Sequence, residues 1–252
     1  MPHPPFRVFG NTYYVGTQGL ASILITSSTG HVLIDGGLPD SAPLIEENIR
    51  ALGFDIADVA IILNSHAHFD HSGGIAALQR ASGARVVASG PSAAEIRRGN
   101  SGPEDPQYGL LFEYPAVSDV AEFTFGEAIT LGDLSLTPHS TPAHTPGGTT
   151  WTWRACDAEE CLDMVYADSQ TPISADGYRF TDRSDLASFE RGYQLLEGLP
   201  CDLLITPHPA ASAFWERREG GGGLVDSSAC RRHAASAREL LARRLAAEQG
   251  WE

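Results

Sequence analysis

Apolar positions along the chain fall into short runs that alternate between two periods. Leu20–Thr26 and His31–Asp35 are apolar and β-branched and flank a turn at Ser27-Ser28-Thr29-Gly30, so the pattern predicts a β-hairpin. Over Pro43–Leu52 the spacing becomes helical, with Leu44, Ile45, Ile49 and Leu52 on one face and Gly53 where helices commonly stop. Val59–Leu63 is an unbroken apolar run of the kind found in strands covered on both faces, and it leads directly into Asn64-Ser65-His66-Ala67-His68-Phe69-Asp70-His71. A helix over Ile75–Ala81 and a strand over Arg85–Ser89 follow. Gly90–Ser118, rich in Gly, Pro, Ser and acidic residues, reads as a long loop with at most a short helix, bordering a site.

Further strands are expected at Glu122–Phe125, Ala128–Leu131, Leu134–Thr137, Thr149–Arg154 and Leu162–Ala167. Ser184–Leu196 is amphipathic, with Leu186, Phe189, Tyr193 and Leu196 on one side, and Asp202–Thr206 is another buried strand. A flexible loop is expected at Gly220–Gly223, and Ser228–Gln249 is an Ala/Arg/Leu helix. Strands and helices therefore occupy two similar halves dividing near residue 135, each with a strand that ends in a His-containing loop. Two sheets packed face to face with helices outside accommodate this order as a single domain over residues 1–252.

Composition narrows the chemistry. The chain has 252 residues, 42% hydrophobic, enough to bury roughly 70–75% of its extended surface without staples. All 17 basic residues are arginine, against 32 acidic ones, for a net charge of −15. Without lysine there is no Schiff base, no pyridoxal-phosphate anchor and no Walker A motif. Any anion must be held by arginine, metal, hydroxyls or backbone N–H groups. The acidic balance also argues against a nucleic-acid partner. No run of about eighteen apolar residues predicts a membrane span. Met1-Pro2-His3-Pro4-Pro5 is not a signal peptide, so the expectation is either a cytosolic protein or a secreted one whose leader has been removed. Cys156, Cys161, Cys201 and Cys230 form no CxxC pair or zinc-ribbon spacing; they are buried thiols or two disulfides, and we favour the disulfides.

The densest chemical signal is His66-Ala67-His68-Phe69-Asp70-His71, three imidazoles and a carboxylate within six residues after a buried strand. In an extended loop His66 and His68 point to one side and serve one metal, while Asp70 and His71 turn the other way as a helix begins and serve a second. Four groups cannot complete two shells. His144, in Thr141-Pro142-Ala143-His144-Thr145-Pro146-Gly147-Gly148, and His208, in Thr206-Pro207-His208-Pro209, both lie at strand ends and are the expected additional ligands. His139 competes with His144, but Gly147-Gly148 favours the latter through close backbone approach. His3, His31 and His233 read as surface positions.

The H-x-H-x-D-H pattern with isolated downstream histidines resembles the metallo-β-lactamase superfamily, over nearly the whole chain. The resemblance implies an α/β fold, an αββα sandwich with a dinuclear zinc site at the edge between two mixed sheets. Within the superfamily the chain is most similar to subclass B3. Tyr166-Ala167-Asp168-Ser169-Gln170-Thr171 presents Ser169 where the first two subclasses have a cysteine ligand. Two Zn2+ per chain are then implied, the first on His66, His68 and His144, the second on Asp70, His71 and His208. Asp70 would also orient the nucleophile and pass a proton. Ser169 and Thr171 would bind the substrate carboxylate, and Gln107 resembles a polar group that some members place over the site. The resemblance further implies disulfides Cys156–Cys161 and Cys201–Cys230 and a periplasmic enzyme, a monomer with no nucleic-acid or membrane partner. Its activity would be hydrolysis of penicillins, cephalosporins and carbapenems by a zinc-bound bridging hydroxide, conferring antibiotic resistance. The alternative on the same fold is a glyoxalase II-like thioesterase or lactonase with Asp168 as a ligand bridging both metals. A non-catalytic zinc protein is less consistent with six ligands shared between two metals.

Overall fold

The computed structural model describes residues 1–183 and 186–250. Its strands are β1 (Phe6–Phe9), β2 (Thr12–Tyr14), β3 (Ile23–Ile25), β4 (His31–Ile34), β5 (Val59–Leu63), β6 (Arg85–Ala88), β7 (Val120–Glu122), β8 (Ile129–Leu131), β9 (Leu134–Ser140), β10 (Thr149–Cys156), β11 (Cys161–Tyr166) and β12 (Leu203–Ile205). The helices are α1 (Ala42–Ala51), α2 (Phe69–Ser72), α3 (Ile75–Ser82), α4 (Gly90–Arg98), α5 (Phe180–Arg183), α6 (Leu186–Gly198), α7 (Phe214–Glu219) and α8 (Ala229–Glu248). β1 to β7 form a seven-stranded sheet in chain order, antiparallel through β4 and parallel from β4 to β7. The second sheet has the order β12-β11-β10-β9-β8, with β12 parallel to β11 and the rest antiparallel.

Period-2 alternation assigns each face. Ile23 and Ile25 of β3 point between the sheets with Met164 and Tyr166 of β11, while Leu24 and Val165 point outward under helices. The intersheet layer adds Tyr14, Ile34, Leu63, Trp151, Leu203 and Ile205. Ile45 and Ile49 of α1, Ile75 and Leu78 of α3 and Ile96 of α4 cover the outer face of the first sheet. On the second sheet, Phe189, Tyr193 and Leu196 of α6 pack with Ala234, Ala237 and Leu241 of α8 over Val165 and Leu204. The four layers are the αββα sandwich. Disulfides join Cys156 to Cys161, directly opposite each other on β10 and β11, and Cys201 to Cys230 of α8.

Several expectations shift. The N-terminal hairpin β1–β2 carries no clear alternation and was not anticipated; Phe6 and Tyr14 order it by stacking at 5.4 Å. Gly90–Ser118 is, as expected, a loop with one short helix, Gly90–Arg98, which stops at Gly99 in the left-handed region, φ 76°. The strand placed at Glu122–Phe125 forms earlier, at Val120–Glu122, because Phe123 turns into packing with Trp151 at 5.2 Å. The short helices α5 and α7 were not read from the pattern. The expected helix Ser184–Leu196 begins outside the described residues and is helical from Leu186. Among the described residues no helix is long and apolar enough to cross a membrane.

Candidate metal centre

The site is built where β5 stops. Asn64 Nδ2 donates to the His66 carbonyl at 2.7 Å and to Ser72 Oγ at 3.0 Å, folding Asn64–His71 back on itself before α2. His68 keeps an extended backbone, φ −71°, ψ 154°, as the residue entering α2, so His66 and His68 point one way and Asp70 and His71 the other. The loop rests on Asp35, whose buried carboxylate accepts from Ser65 N (2.8 Å), Ser65 Oγ (2.7 Å) and Tyr166 OH (2.8 Å). Asp35 adopts φ 62°, a conformation an aspartate tolerates. Through these bonds one carboxylate ties the end of β4 to the histidine loop and to the opposite sheet.

His144 comes from the loop between β9 and β10. A Cβ at Gly148 would run into the Thr141 carbonyl oxygen and the Asp168 carboxylate, so the Gly147-Gly148 approach read from sequence is a steric requirement. His208 lies just after β12. The structure thus gathers His66, His68 and His144 into one group and Asp70, His71 and His208 into another, each with its donor atoms within 4.8 Å of one another. The groups adjoin, with the His66 and His71 rings 4.3 Å apart.

Hydrogen bonding decides which nitrogen of each ring faces inward. His66 Nδ1 donates to Asp168 Oδ1 at 2.7 Å, His68 Nε2 to Asp105 Oδ2 at 2.8 Å, and His144 Nδ1 to the Thr171 carbonyl at 2.9 Å. Each ring therefore has one nitrogen held by an acceptor and presents the other as a lone pair. His66 Nε2 is buried with no partner. Burial first, and then the neighbouring imidazoles, push His66 far below the ordinary histidine value and His144 down to about 3, so both rings are neutral. In the second group Asp70 Oδ2 lies 3.3 Å from both His71 Nε2 and His208 Nε2. Burial opposes ionisation of Asp70, but His71 and His208 outweigh it and hold the carboxyl well below the usual carboxylate range. A neutral His66 and His144, an ionised Asp70 and the orphaned His66 Nε2 are ready to bind a divalent metal, and the N/O donor set suits zinc.

His68 and His144 of one group and Asp70 and His208 of the other line one cavity, together with Phe69, Gln107, Leu111, Ser169, Thr171 and Ile173. Gln107 Nε2 donates toward His144 Nε2 at 3.3 Å. Thr171 Oγ1 is 3.1 Å from His144 Nδ1, whose single proton already bonds the Thr171 carbonyl; the hydroxyl accepts a share of it and keeps its own proton to donate. Asp168 belongs to neither donor group; it sits behind His66, fully buried. His139 is elsewhere, on the outer face of β9, bonded to Thr152 Oγ1 at 2.8 Å.

The three histidines read as surface positions need correction. His31 is buried against Phe54, His3 stacks on Trp215 at 4.4 Å, and His233 lines the cavity. Sequence reasoning also missed Asp35, Asp105 and Tyr114, whose hydroxyl donates to the Ala67 carbonyl at 2.7 Å. The apolar strand before Asp35 gave a faint signal; Asp105 and Tyr114 lie in a stretch without periodicity and gave none.

The family model of the metallo-β-lactamase superfamily matches residues 16–208. This chain belongs to that superfamily. Among solved structures, Rm3 metallo-β-lactamase superposes with a TM-score of 0.95 at 51% identity, over 98% of this chain and 95% of that one. MEM-A1, a subclass B3 metallo-β-lactamase isolated from a soil metagenome library, gives 0.95 at 45% identity over 98% and 97%. A curated hydroxyacylglutathione hydrolase of Anaeromyxobacter dehalogenans (strain 2CP-C) is 33% identical over 52% of this chain, and the match spans only 40% of that relative's length. The two metallo-β-lactamase structures thus match almost end to end, whereas this chain spans less than half the length of the hydroxyacylglutathione hydrolase.

Proposed function

We propose that this protein is a subclass B3 metallo-β-lactamase that hydrolyses the β-lactam amide bond of penicillins, cephalosporins and carbapenems. One observation carries the reading: two adjoining groups of three candidate metal donors open, through His68, His144, Asp70 and His208, onto a cavity also lined by Ser169 and Thr171, in a chain about half identical to enzymes named metallo-β-lactamases. His66, His68 and His144 would hold one zinc ion and Asp70, His71 and His208 a second, which when bound supply Lewis-acid activation of water and of the amide carbonyl.

The chain's own residues supply the rest. Ser169 and Thr171 donate hydroxyl hydrogen bonds to the substrate carboxylate, the task that falls to hydroxyls in a chain without lysine. Gln107, over His144, offers its amide N–H to the acyl side of the substrate. Asp70, ionised, accepts a hydrogen bond from the attacking water and so orients it toward the amide carbonyl. All four cysteines are in disulfides, so there is no thiol nucleophile, and with water as the attacking group no covalent acyl-enzyme is expected. Those disulfides support export to the periplasm, where the activity would confer antibiotic resistance.

The test is hydrolysis of a penicillin and a carbapenem, with a thioester as control, before and after chelation and zinc restoration. Chelator-sensitive opening of both lactams is the expected result. Thioester cleavage with inert lactams would overturn it in favour of the hydroxyacylglutathione-type reading, and His68→Ala with full metal content and activity would overturn the ligand assignment.

A further inference from the structure

The cavity does not end at the two donor groups. Its volume is about 410 Å³, and it continues onto a wall made by α8 and the turn at Pro209–Ser212. Ala211, His233, Ser236, Ala237 and Leu240 form this wall, with Ile173 beside it. His233, Ser236, Ala237 and Leu240 follow the spacing of one helical face.

Three properties distinguish the wall from the rest of the cavity. It contains no carboxylate and no arginine, and His233, its only titratable group, is driven below the ordinary histidine value by burial, so the wall is uncharged at neutral pH. Its residues at the centre are small while Leu240 and Ile173 are apolar and 40% and 51% exposed, which leaves room bounded by hydrocarbon. It is also rigid: α8 is pinned by the Cys201–Cys230 disulfide, and the Ala237 carbonyl accepts from Tyr193 OH at 3.3 Å.

Position fixes what the wall faces. Ile173 follows Thr171 by two residues, so the wall adjoins the end of the cavity where Ser169 and Thr171 present their hydroxyls, whereas Gln107 and Leu111 come from the separate loop after α4. We propose that the α8 wall receives the apolar substituent carried beside the carboxylate on the ring fused to the β-lactam, and that Ser236 sets how large that substituent can be. This rests on the β-lactamase reading of the site. An uncharged, preformed apolar compartment next to the anion-binding hydroxyls selects substituents by volume, without touching the reacting atoms.

The experiment compares two cephalosporins with the same acyl side chain, one with a methyl group and one with a bulky, non-leaving arylvinyl group next to the carboxylate-bearing carbon. Zinc-loaded parent, Ser236→Phe and Ser236→Ala are measured for kcat and KM. Ser236→Phe is expected to raise KM for the arylvinyl compound about tenfold, with kcat nearly unchanged and the methyl compound altered less than about twofold. Ser236→Ala should match the parent on both. Ser236 is exposed, so the fold should survive; if Ser236→Phe does not fold, Leu240→Trp carries the same expectation. An active parent whose KM ratio is unchanged in the filled variants, or one that loses both substrates equally, overturns this inference alone. A parent that opens neither cephalosporin overturns the β-lactamase reading and this inference with it.

Discussion

His66, His68 and His144 each commit one ring nitrogen to a protein acceptor, and those acceptors are where single substitutions should be informative. Asp105 is fully buried and accepts from His68 Nε2 at 2.8 Å and from Gln107 N at 2.7 Å, so it fixes both a donor ring and the residue over the site. Asp105→Ala is expected to lower metal affinity or kcat/KM by about 10–100-fold, read by metal content after dialysis and by hydrolysis rate. Full metal occupancy with parental rate in that variant would contradict the positioning role. The contrast between Asp105 and the histidines also marks what sequence could show at this scale. Four of the six donors stand in one hexapeptide whose density betrays them. Asp105 is one acidic residue among 32, and only the path of the loop after α4 brings it to His68.

At the scale of elements, α8 is a brace for the cavity wall, and its attachment can be loosened from either end. Near its start the Cys201–Cys230 bridge closes 29 residues, worth about 3.6 kcal/mol on a chain-entropy basis; Cys156–Cys161 closes only five and is worth about 2. Replacing Cys201 and Cys230 by alanine should therefore lower the thermal midpoint more than replacing Cys156 and Cys161, measurable by calorimetry under non-reducing conditions. At its other end Glu248 accepts from Phe180 N and Thr181 N, both at 3.1 Å, and from Arg244 Nε at 2.7 Å. Burial alone would raise this carboxyl, but these donors and the Thr181 hydroxyl, also at 3.1 Å, outweigh it and hold it below the ordinary glutamate value. A depressed carboxylate stabilises the fold above its unfolded-state pKa, about 4.3, and that contribution disappears as pH falls through the folded value. Glu248→Gln should cost about 2 kcal/mol at neutral pH, and the gap to the parent should close in urea titrations carried below about pH 4. The helix itself was legible as an Ala/Arg/Leu stretch; its anchor was not, because Glu248 and Phe180 lie 68 residues apart.

At the scale of the whole molecule, the candidate donors come from the loop after β5 and from α2 on one side and from the loops after β9 and β12 on the other, so a bound metal pair would cross-link the two sheets. Any ligand that binds only the native state raises stability by mass action. Chelation is expected to lower the thermal midpoint, and zinc titrated back should raise it in a concentration-dependent manner, whether or not substrate is present. A midpoint unaffected by chelator would argue against metal at this junction.

Sequence alone determined most helix and strand periods and an element order that a two-sheet sandwich accommodates, and it singled out the six candidate donors, because alternation, helical spacing and a dense histidine motif are local patterns. It also excluded lysine as the partner of any anion, since a missing residue type is missing everywhere. Tertiary structure decided which ring nitrogen faces inward, that Asp168 stands behind His66, that Asp35 joins the sheets, and that His233 faces a cavity. Those facts depend on residues far apart in the chain being brought within hydrogen-bond distance, and a 2.7 Å bond such as His66 Nδ1 to Asp168 leaves no trace in the spacing of 102 residues that separates them.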